Sequence, residues 1–527
     1  MAKERKNSFL GGMATMAAAL VVVKIIGAVY KIPIGNILGD NYRQFNNAYD
    51  IYTVLINISI AGFPVALSKM VAANHALGRE RQVGKIFRLA LTIFFSLGLA
   101  SFLAMFLGAD VLAGWMNDPQ AAQSIRYLAP AVLFVSCVGS FRGFFQGHGN
   151  MRPSAVSQVI EAMGKLCIGL PLAMWMASLG RETETPAYAI LGVTLGSALT
   201  LLYMLFCYAR RPHYKDLTGG SVDATGKIVR DLLVIAIPIT LTASAVSVIN
   251  VIDAAVVQGQ LQNALGLAEE VIDGLYSDYG RAKNIYNLPA SFMMAVTVSV
   301  IPAVSAALAV NKRREAARVV RASYHVTALL IFPMGVGMSV LAEPIARLLY
   351  PHAGDPVRTG QLLAILGFAS IFVCMVSVSN SVLQAHGHQN LPVLVMVGAG
   401  TVMLVVDYIL VGIESIGIFG SPIGTLCCFA LAAVADFTLI RRLVPHPPKY
   451  FRLFFGPALA TAGMALAAWG SYRLAHLVLG NTLSLLFAIL CAVAVYAFLV
   501  IWLKMLSRSE LQLMPKGDKI ADLLRLP

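Results

Sequence analysis

The sequence predicts an all-α polytopic membrane protein of about fourteen transmembrane helices, built as two six-helix lobes in a parallel pseudo-twofold repeat plus two C-terminal helices. Three observations predict it. The 527 residues are 58% hydrophobic and only 13% charged, with a mean hydropathy of +0.74, outside the range of soluble globular chains. Apolar runs of about 20 residues recur along the whole length, whereas a barrel would show alternating segments of about 10. Finally, sequence patterns in the first half return in the second at one fixed offset.

The spans fall near residues 9–38, 44–67, 86–108, 121–145, 154–179, 187–209, 229–258, 282–309, 322–346, 359–384, 391–412, 417–440, 453–478 and 482–505. The basic start (Lys3, Arg5, Lys6) leads into a run longer than a signal-peptide core and without a clear cleavage site, so 9–38 is expected to be the first span. Most of the 40 Lys and Arg residues lie in alternate connections, including those around Lys69 to Arg88, Arg210 to Arg230, Lys312 to Arg321 and Arg441 to Arg452. This bias predicts both termini on the cytoplasmic side. It also accounts for the net charge of +14 without a nucleic-acid partner.

The repeat sets the domain organisation. Pro64 in FPVALSKM matches Pro302 in IPAVSAAL, and Gln146 in QGHGN matches Gln384 in QAHGH, each pair 238 residues apart, with His148 and His386 in register. Residues 1–228 then form an N-lobe of spans 1 to 6 and 229–440 a C-lobe of spans 7 to 12. Residues 441–527 carry spans 13 and 14 and a cytoplasmic tail.

The informative residues are charges where lipid should exclude them. Lys24 and Lys31 share a face of the first span, about 10 Å apart along the axis. Lys24 is about 20 Å from either end, too deep to snorkel easily, and a charge at that depth faces a cavity or a partner. Lys31, near the outer end beside Pro33 and Gly35, can reach water by snorkelling. In the second span Asn46, Asp50, Thr53 and Asn57 repeat at helical spacing. The repeat matches Asn46 and Thr53 with Asn284 and Ser291, and Asn287 lies on the same side. These stripes either line a shared cavity or serve as interhelical hydrogen-bonding glue.

Arg281 and Lys283 open the eighth span, as cavity cations or interfacial anchors. Set against the acids Asp50 and Asp253, the four cations give a cavity of positive excess, which suits an anion and diphosphate best. Arg142 and Arg152 stand near the inner gate. Glu161 and Lys165 are spaced to pair as i, i+4. Asp407 and Asp436 are candidates for a coupling cation. His148, His386 and His388 read as turn residues of a cytoplasmic gate, with no metal site. The acidic segment between Gly259 and Gly280 reads as an amphipathic surface helix, and the seven cysteines as inert core.

Phosphate-binding loop, nucleophile elbow and cysteine-histidine metal patterns are all missing from the sequence, which argues against an enzyme and a cofactor. A gradient or potential must then supply the energy, at about 2.3 kcal/mol per charge per 100 mV.

The stretches KIIGAVYKIPIGNILGD (Lys24 to Asp40), GFPVALSKMVA (Gly62 to Ala72) and FRGFFQGHGNMRPSAVSQVIE (Phe141 to Glu161) resemble the polysaccharide exporters of the multidrug/oligosaccharidyl-lipid/polysaccharide (MOP) superfamily. Within it they resemble the stage V sporulation protein B and MurJ-type lipid II flippases, along the whole chain. That resemblance implies alternating access by two lobes around a cationic cavity. The cavity would take an undecaprenyl-diphosphate-linked saccharide, most simply lipid II, with Lys24, Lys31 and Arg281 or Lys283 as headgroup cations and Asp50, Asn57 and Asn284 as polar lining. Spans 13 and 14 would hold the polyprenyl tail. The family's first-span cations are typically arginines, and lysine lacks their bidentate fork. The rivals are an exporter of another polyprenyl-linked unit and a cation-coupled multidrug antiporter of the same superfamily, whose cavity should be dominated by acids. A membrane glycosyltransferase or ligase would need a larger outer domain than any loop here provides.

Overall fold

The structure, a computed structural model, describes residues 2–60, 62–211, 222–309, 311–503 and 505. The tail expected after span 14 and the connection around Lys215 lie outside them, as does the side chain of Pro302. Among the described residues the chain is helical without strands. Its helices are α1 (Ala2–Ile37), α2 (Tyr42–Ile60), α3 (Phe63–Ala76), α4 (Glu80–Leu107), α5 (Ala109–Trp115), α6 (Ala122–Gly147), α7 (Arg152–Gly164), α8 (Leu170–Ser178), α9 (Thr185–Ala209), α10 (Thr225–Asn263), α11 (Glu269–Ala309), α12 (Arg313–Val340), α13 (Ala342–Leu349), α14 (Pro356–Ala385), α15 (Leu391–Val411), α16 (Gly420–Leu443), α17 (Tyr450–His476) and α18 (Asn481–Trp502).

Eleven stretches, covering expected spans 2 to 6 and 9 to 14, are long and apolar enough to cross a membrane, judged over the described residues. Spans 1, 7 and 8 coincide with α1, α10 and α11, of 36, 39 and 41 residues. The second span runs further than its hydropathy suggests. After α2 ends at Ile60, α3 starts at Phe63 with Gly62 as its N-cap and Pro64 in its first turn, and continues to Ala76.

The chain folds as two compact units, Met1–Ser277 and Asp278–Pro527. In the first, α6 is the central element, packed by α2, α3, α4 and α9. Its aromatic rows explain this position: Phe141 and Phe144 meet Phe87 of α4 and Tyr208 of α9, within a core that includes Leu67 and Val71 of α3. The seventh span, α10, which the repeat assigns to the second lobe, packs on α2 and α3.

Span 5 is one continuous helix in three parts, α7, a π-helical turn Lys165–Gly169, and α8. Glycine makes its contact with α9 close. A Cβ on Gly164 would lie 2.3 Å from Gly196 Cα, and one on Gly192 would lie 2.2 Å from Gly169 Cα. The two backbones touch, as small residues permit in membrane bundles.

In the second unit α14 packs on α12, α13 and α16, α15 on α16, and α17 on α12 and α18. Tyr324 (α12), Phe437 (α16) and Tyr450 and Phe454 (α17) form its aromatic centre, with the Tyr324 hydroxyl 2.6 Å from Ser379 Oγ of α14. Along α18 the Leu, Ile, Val and Phe side chains are mostly exposed, including Phe487, Leu490, Val493 and Phe498, as suits a helix whose outer surface meets lipid.

The repeat is legible in how two helices end. His148 caps α6 and His386 caps α14. Each ring Nδ1 meets the carbonyl four residues back, Phe144 O at 2.9 Å and Val382 O at 2.8 Å. The next residues, Gly149 and Gly387, take φ of +75° and +88°, and their N–H groups donate to Gln146 O and Gln384 O. The αL glycine and the bonds it allows form one helix-ending motif, present twice at the sequence offset of the repeat.

Candidate functional site

Helix α2 carries the expected polar face: Asn46, Asp50, Thr53 and Asn57 are all half-buried. Asn57 Nδ2 donates to Ser247 Oγ of α10 at 2.6 Å, and Thr53 Oγ1 donates to Tyr49 O. The lysines of α1 differ in setting. Lys31 is half-buried, whereas the Lys24 ammonium is exposed and makes no hydrogen bond or ion pair among the described residues. Lys165, the other lysine within a span, lies over the Tyr49 ring at 5.4 Å. Its expected i, i+4 partner, Glu161, pairs instead with Arg142 Nη2 of α6 at 3.1 Å. Arg142 reaches Glu161 from the neighbouring helix α6 and takes the carboxylate that the local spacing assigned to Lys165. Arg142 is thus held by Glu161 and by Ser157 Oγ, at 2.9 Å from its Nε, while Arg152 is exposed at the start of α7.

The segment before span 8 is not the simple surface helix expected. The chain is helical from Glu269 straight into the span, and Asp273 and Asp278 point inward. In the first unit the fully buried Arg43 bonds Asp273 Oδ1 and Gln258 Oε1, each at 2.6 Å, and the Asn117 carbonyl. Its Nε lies 3.9 Å from Asp118, which accepts from Asn47 at 2.8 Å. Burial pushes the Asp118 carboxyl up to about 6 although Arg43 and Asn47 pull it down; burial raises Asp273 likewise, against Arg43.

The second unit has a counterpart. Asp278, fully buried, accepts from Arg281 Nη1 at 2.5 Å, from Arg358 Nε and Nη2 at 2.6 Å, and from the Asp355 backbone N–H. Gly354, at φ +62°, closes over it: a Cβ there would lie 2.0 Å from Arg281 Nη1. Arg281 therefore sits fully buried in a structural ion cluster, and Lys283 is half-buried with its ammonium 5.1 Å from the Tyr279 ring. Asn284 is half-buried beside them in sequence.

Sequence reasoning passed over Arg43 and a cluster at the other end of the first unit. His75 Nδ1, in the last turn of α3, is 2.5 Å from Glu80 Oε1, in the first turn of α4. Glu80 Oε2 is 3.8 Å from His148 Nε2, and the two imidazole centroids are 4.7 Å apart. Burial lowers the His148 pKa, favouring the neutral ring. The signal was present as two His and one Glu beside glycine turns, but their spacing follows no local metal motif.

A duplicated, all-helical bundle with charges locked inside and between its spans defines a polytopic membrane protein of the transporter kind. The chain belongs to the polysaccharide biosynthesis protein family, whose model matches residues 9–309; the MatE model matches residues 277–409. Among curated proteins it is 26% identical to an uncharacterized membrane protein, YabM, of Bacillus subtilis over 98% of this chain and 96% of that one. It is 22% identical to the lipid II flippase MurJ of the same organism, over 83% of each, and 22% identical to its stage V sporulation protein B, over 97% and 98%. Among solved structures, an inward-facing MATE multidrug transporter of the MOP superfamily aligns with a TM-score of 0.67 over 81% of this chain and 98% of its own, at 16% identity. Lipid II flippase MurJ in an inward closed conformation gives 0.66 over 93% and 98%, also at 16% identity. The chain has the MOP fold.

Proposed function

We propose that the protein is a flippase that carries an undecaprenyl-diphosphate-linked saccharide, lipid II first among the candidates, from the inner to the outer leaflet by alternating access. The observation that carries this reading is Lys24. Two deep cations of other spans, Arg142 and Lys165, are engaged within the protein, by Glu161 and by the Tyr49 ring, while the mid-span ammonium of Lys24 is available to a ligand. The likeness to MurJ over 83% of this chain and to stage V sporulation protein B over 97% of it supports the substrate class.

Lys31, Lys283, Asp50, Asn57 and Asn284 complete the headgroup site in this reading. Lys283 is preferred to Arg281 because the latter is committed to Asp278. Residues 1–228 and 229–440 are the moving lobes, 441–527 serves the lipid tail, Arg142 and Arg152 stand at the inner gate, and both termini are cytoplasmic. Asp407 and Asp436, fully buried in α15 and α16, are the candidates for a coupling cation.

Complementation of a flippase-depleted bacterium tests it, with membrane expression checked. Lys24→Ala should fail to restore lipid II export while Lys24→Arg restores it. Full export by Lys24→Ala would remove the proposal's centre. A cation-coupled antiporter remains the rival, since MATE transporters share the fold; drug efflux unaffected by lipid II depletion would favour it.

A further inference from the structure

We propose that His75, Glu80 and His148 form a binding site for one divalent transition-metal ion, zinc by its chemistry, that ties the α3–α4 corner to the end of α6. The three side chains come from three helix ends. Each offers one ligand atom, and these atoms lie within 4.8 Å of one another.

The orientation of each ring suits ligation. His148 Nδ1 meets the Phe144 carbonyl at 2.9 Å, so that nitrogen carries the proton and Nε2, the atom facing Glu80, presents its lone pair. A backbone carbonyl behind a ligating imidazole is the usual support of a metal-bound histidine. His75 presents Nδ1 to the other oxygen of the same carboxylate. Two imidazoles and a carboxylate are a zinc donor set that leaves a fourth position open, with bonds of about 2.0 to 2.2 Å. Ligand atoms on a tetrahedral ion of that size stand roughly 3.4 Å apart. Binding therefore requires the 2.5 Å His75–Glu80 contact to open and the 3.8 Å Glu80–His148 contact to close slightly, both within reach of a Glu side chain.

The repeat provides an internal comparison. His386 has the same helix-capping geometry as His148, yet in the matching turn between α11 and α12, where Asn311 and Lys312 take the places of Gly78 and Arg79, the positions equivalent to His75 and Glu80 are Leu308 and Arg313. The second unit retains the turn but has an aliphatic residue and a cation where ligands would be needed. The cap alone therefore explains a histidine at each site, and only the first copy adds the two further donors.

The test uses the full-length protein, purified in detergent with its affinity tag removed, and zinc itself as the probe. Competition against a chromophoric chelator should give one tight site per chain. His75→Ala and His148→Ala should each weaken it by more than about 100-fold, since loss of a ligand exceeds the 10 to 100-fold typical of a lost supporting contact. His386→Ala should leave it unchanged. Zinc should also raise the unfolding temperature of the wild type and not of His75→Ala. Because His148→Ala also removes a helix cap, Glu80→Gln provides a variant that keeps size and hydrogen bonding; it too should lose the site. Absence of a tight site in the wild type, or its survival in His75→Ala and Glu80→Gln, overturns the proposal.

Discussion

Replacing Arg43 by alanine should be among the most damaging single changes in the first unit. The guanidinium is fully buried and bonds Asp273, Gln258 and the Asn117 carbonyl, with Asp118 at 3.9 Å. Arg43→Ala leaves two buried carboxylates without their cation. Breaking a buried pair from one side costs about 3 to 5 kcal/mol, against about 0.5 for an ordinary surface change. Most of that cost is the stranded charge rather than the lost attraction. The double variant Arg43→Met with Asp273→Asn should therefore recover at least about 1 kcal/mol over the sum of the singles. Arg43→Lys should fall between, keeping charge but losing the fork that reaches Asp273 and Gln258 together. Unfolding in mixed micelles of increasing denaturing-detergent content, followed by tryptophan fluorescence, ranks the variants. An Arg43→Ala protein within about 0.5 kcal/mol of wild type, or strict additivity in the double variant, would refute the reasoning.

Gly354→Ala should lower the yield of folded protein below that of Arg358→Ala, since its Cβ would lie 2.0 Å from Arg281 Nη1 at a φ of +62° and displace the Arg281–Asp278 pair, whereas Arg358→Ala leaves Asp278 paired to Arg281; equal yields by fluorescence-detected size exclusion would contradict this. Asp118 gives a pH signature. Its folded pKa of about 6 lies above the unfolded value near 4, so its contribution is fully present below pH 4 and lost as pH rises through 6. Relative to Asp118→Asn, the wild type should lose up to about 3 kcal/mol across that window and nothing further above it. A melting-temperature gap that does not change with pH would refute it.

The fold could be read because a membrane imposes one rule on every span: apolar outside, backbone satisfied inside. Even the repeat register, read from Gln146 and Gln384, reappears as matching helix caps. Partnership between charges could not be read. Arg43 and Asp273 are 230 positions apart, and Asp278 and Arg358 are 80 apart, so nothing in local spacing marks them as pairs. The one pair that local spacing did suggest, Glu161 with Lys165, is displaced by a partner from another helix. Lys24 was legible because a charge deep in an apolar run needs no partner to be conspicuous. His75 and Glu80 were not, because a histidine and a glutamate near a turn are ordinary.

The π turn at Lys165–Gly169 gives span 5 two phases. The extra residue shifts the helical phase by about 100°, which brings Gly164 before the turn and Gly169 at its end onto the same face against α9. The half before it places Glu161 toward Arg142; the segment at its end sets Gly169 against Gly192. Inserting or deleting a residue there would not lengthen or shorten a connection but would re-aim one half of a membrane helix, exchanging the side that faces protein for the side that faces lipid. The turn therefore keeps one glycine seam in register with α9 across both halves of the span.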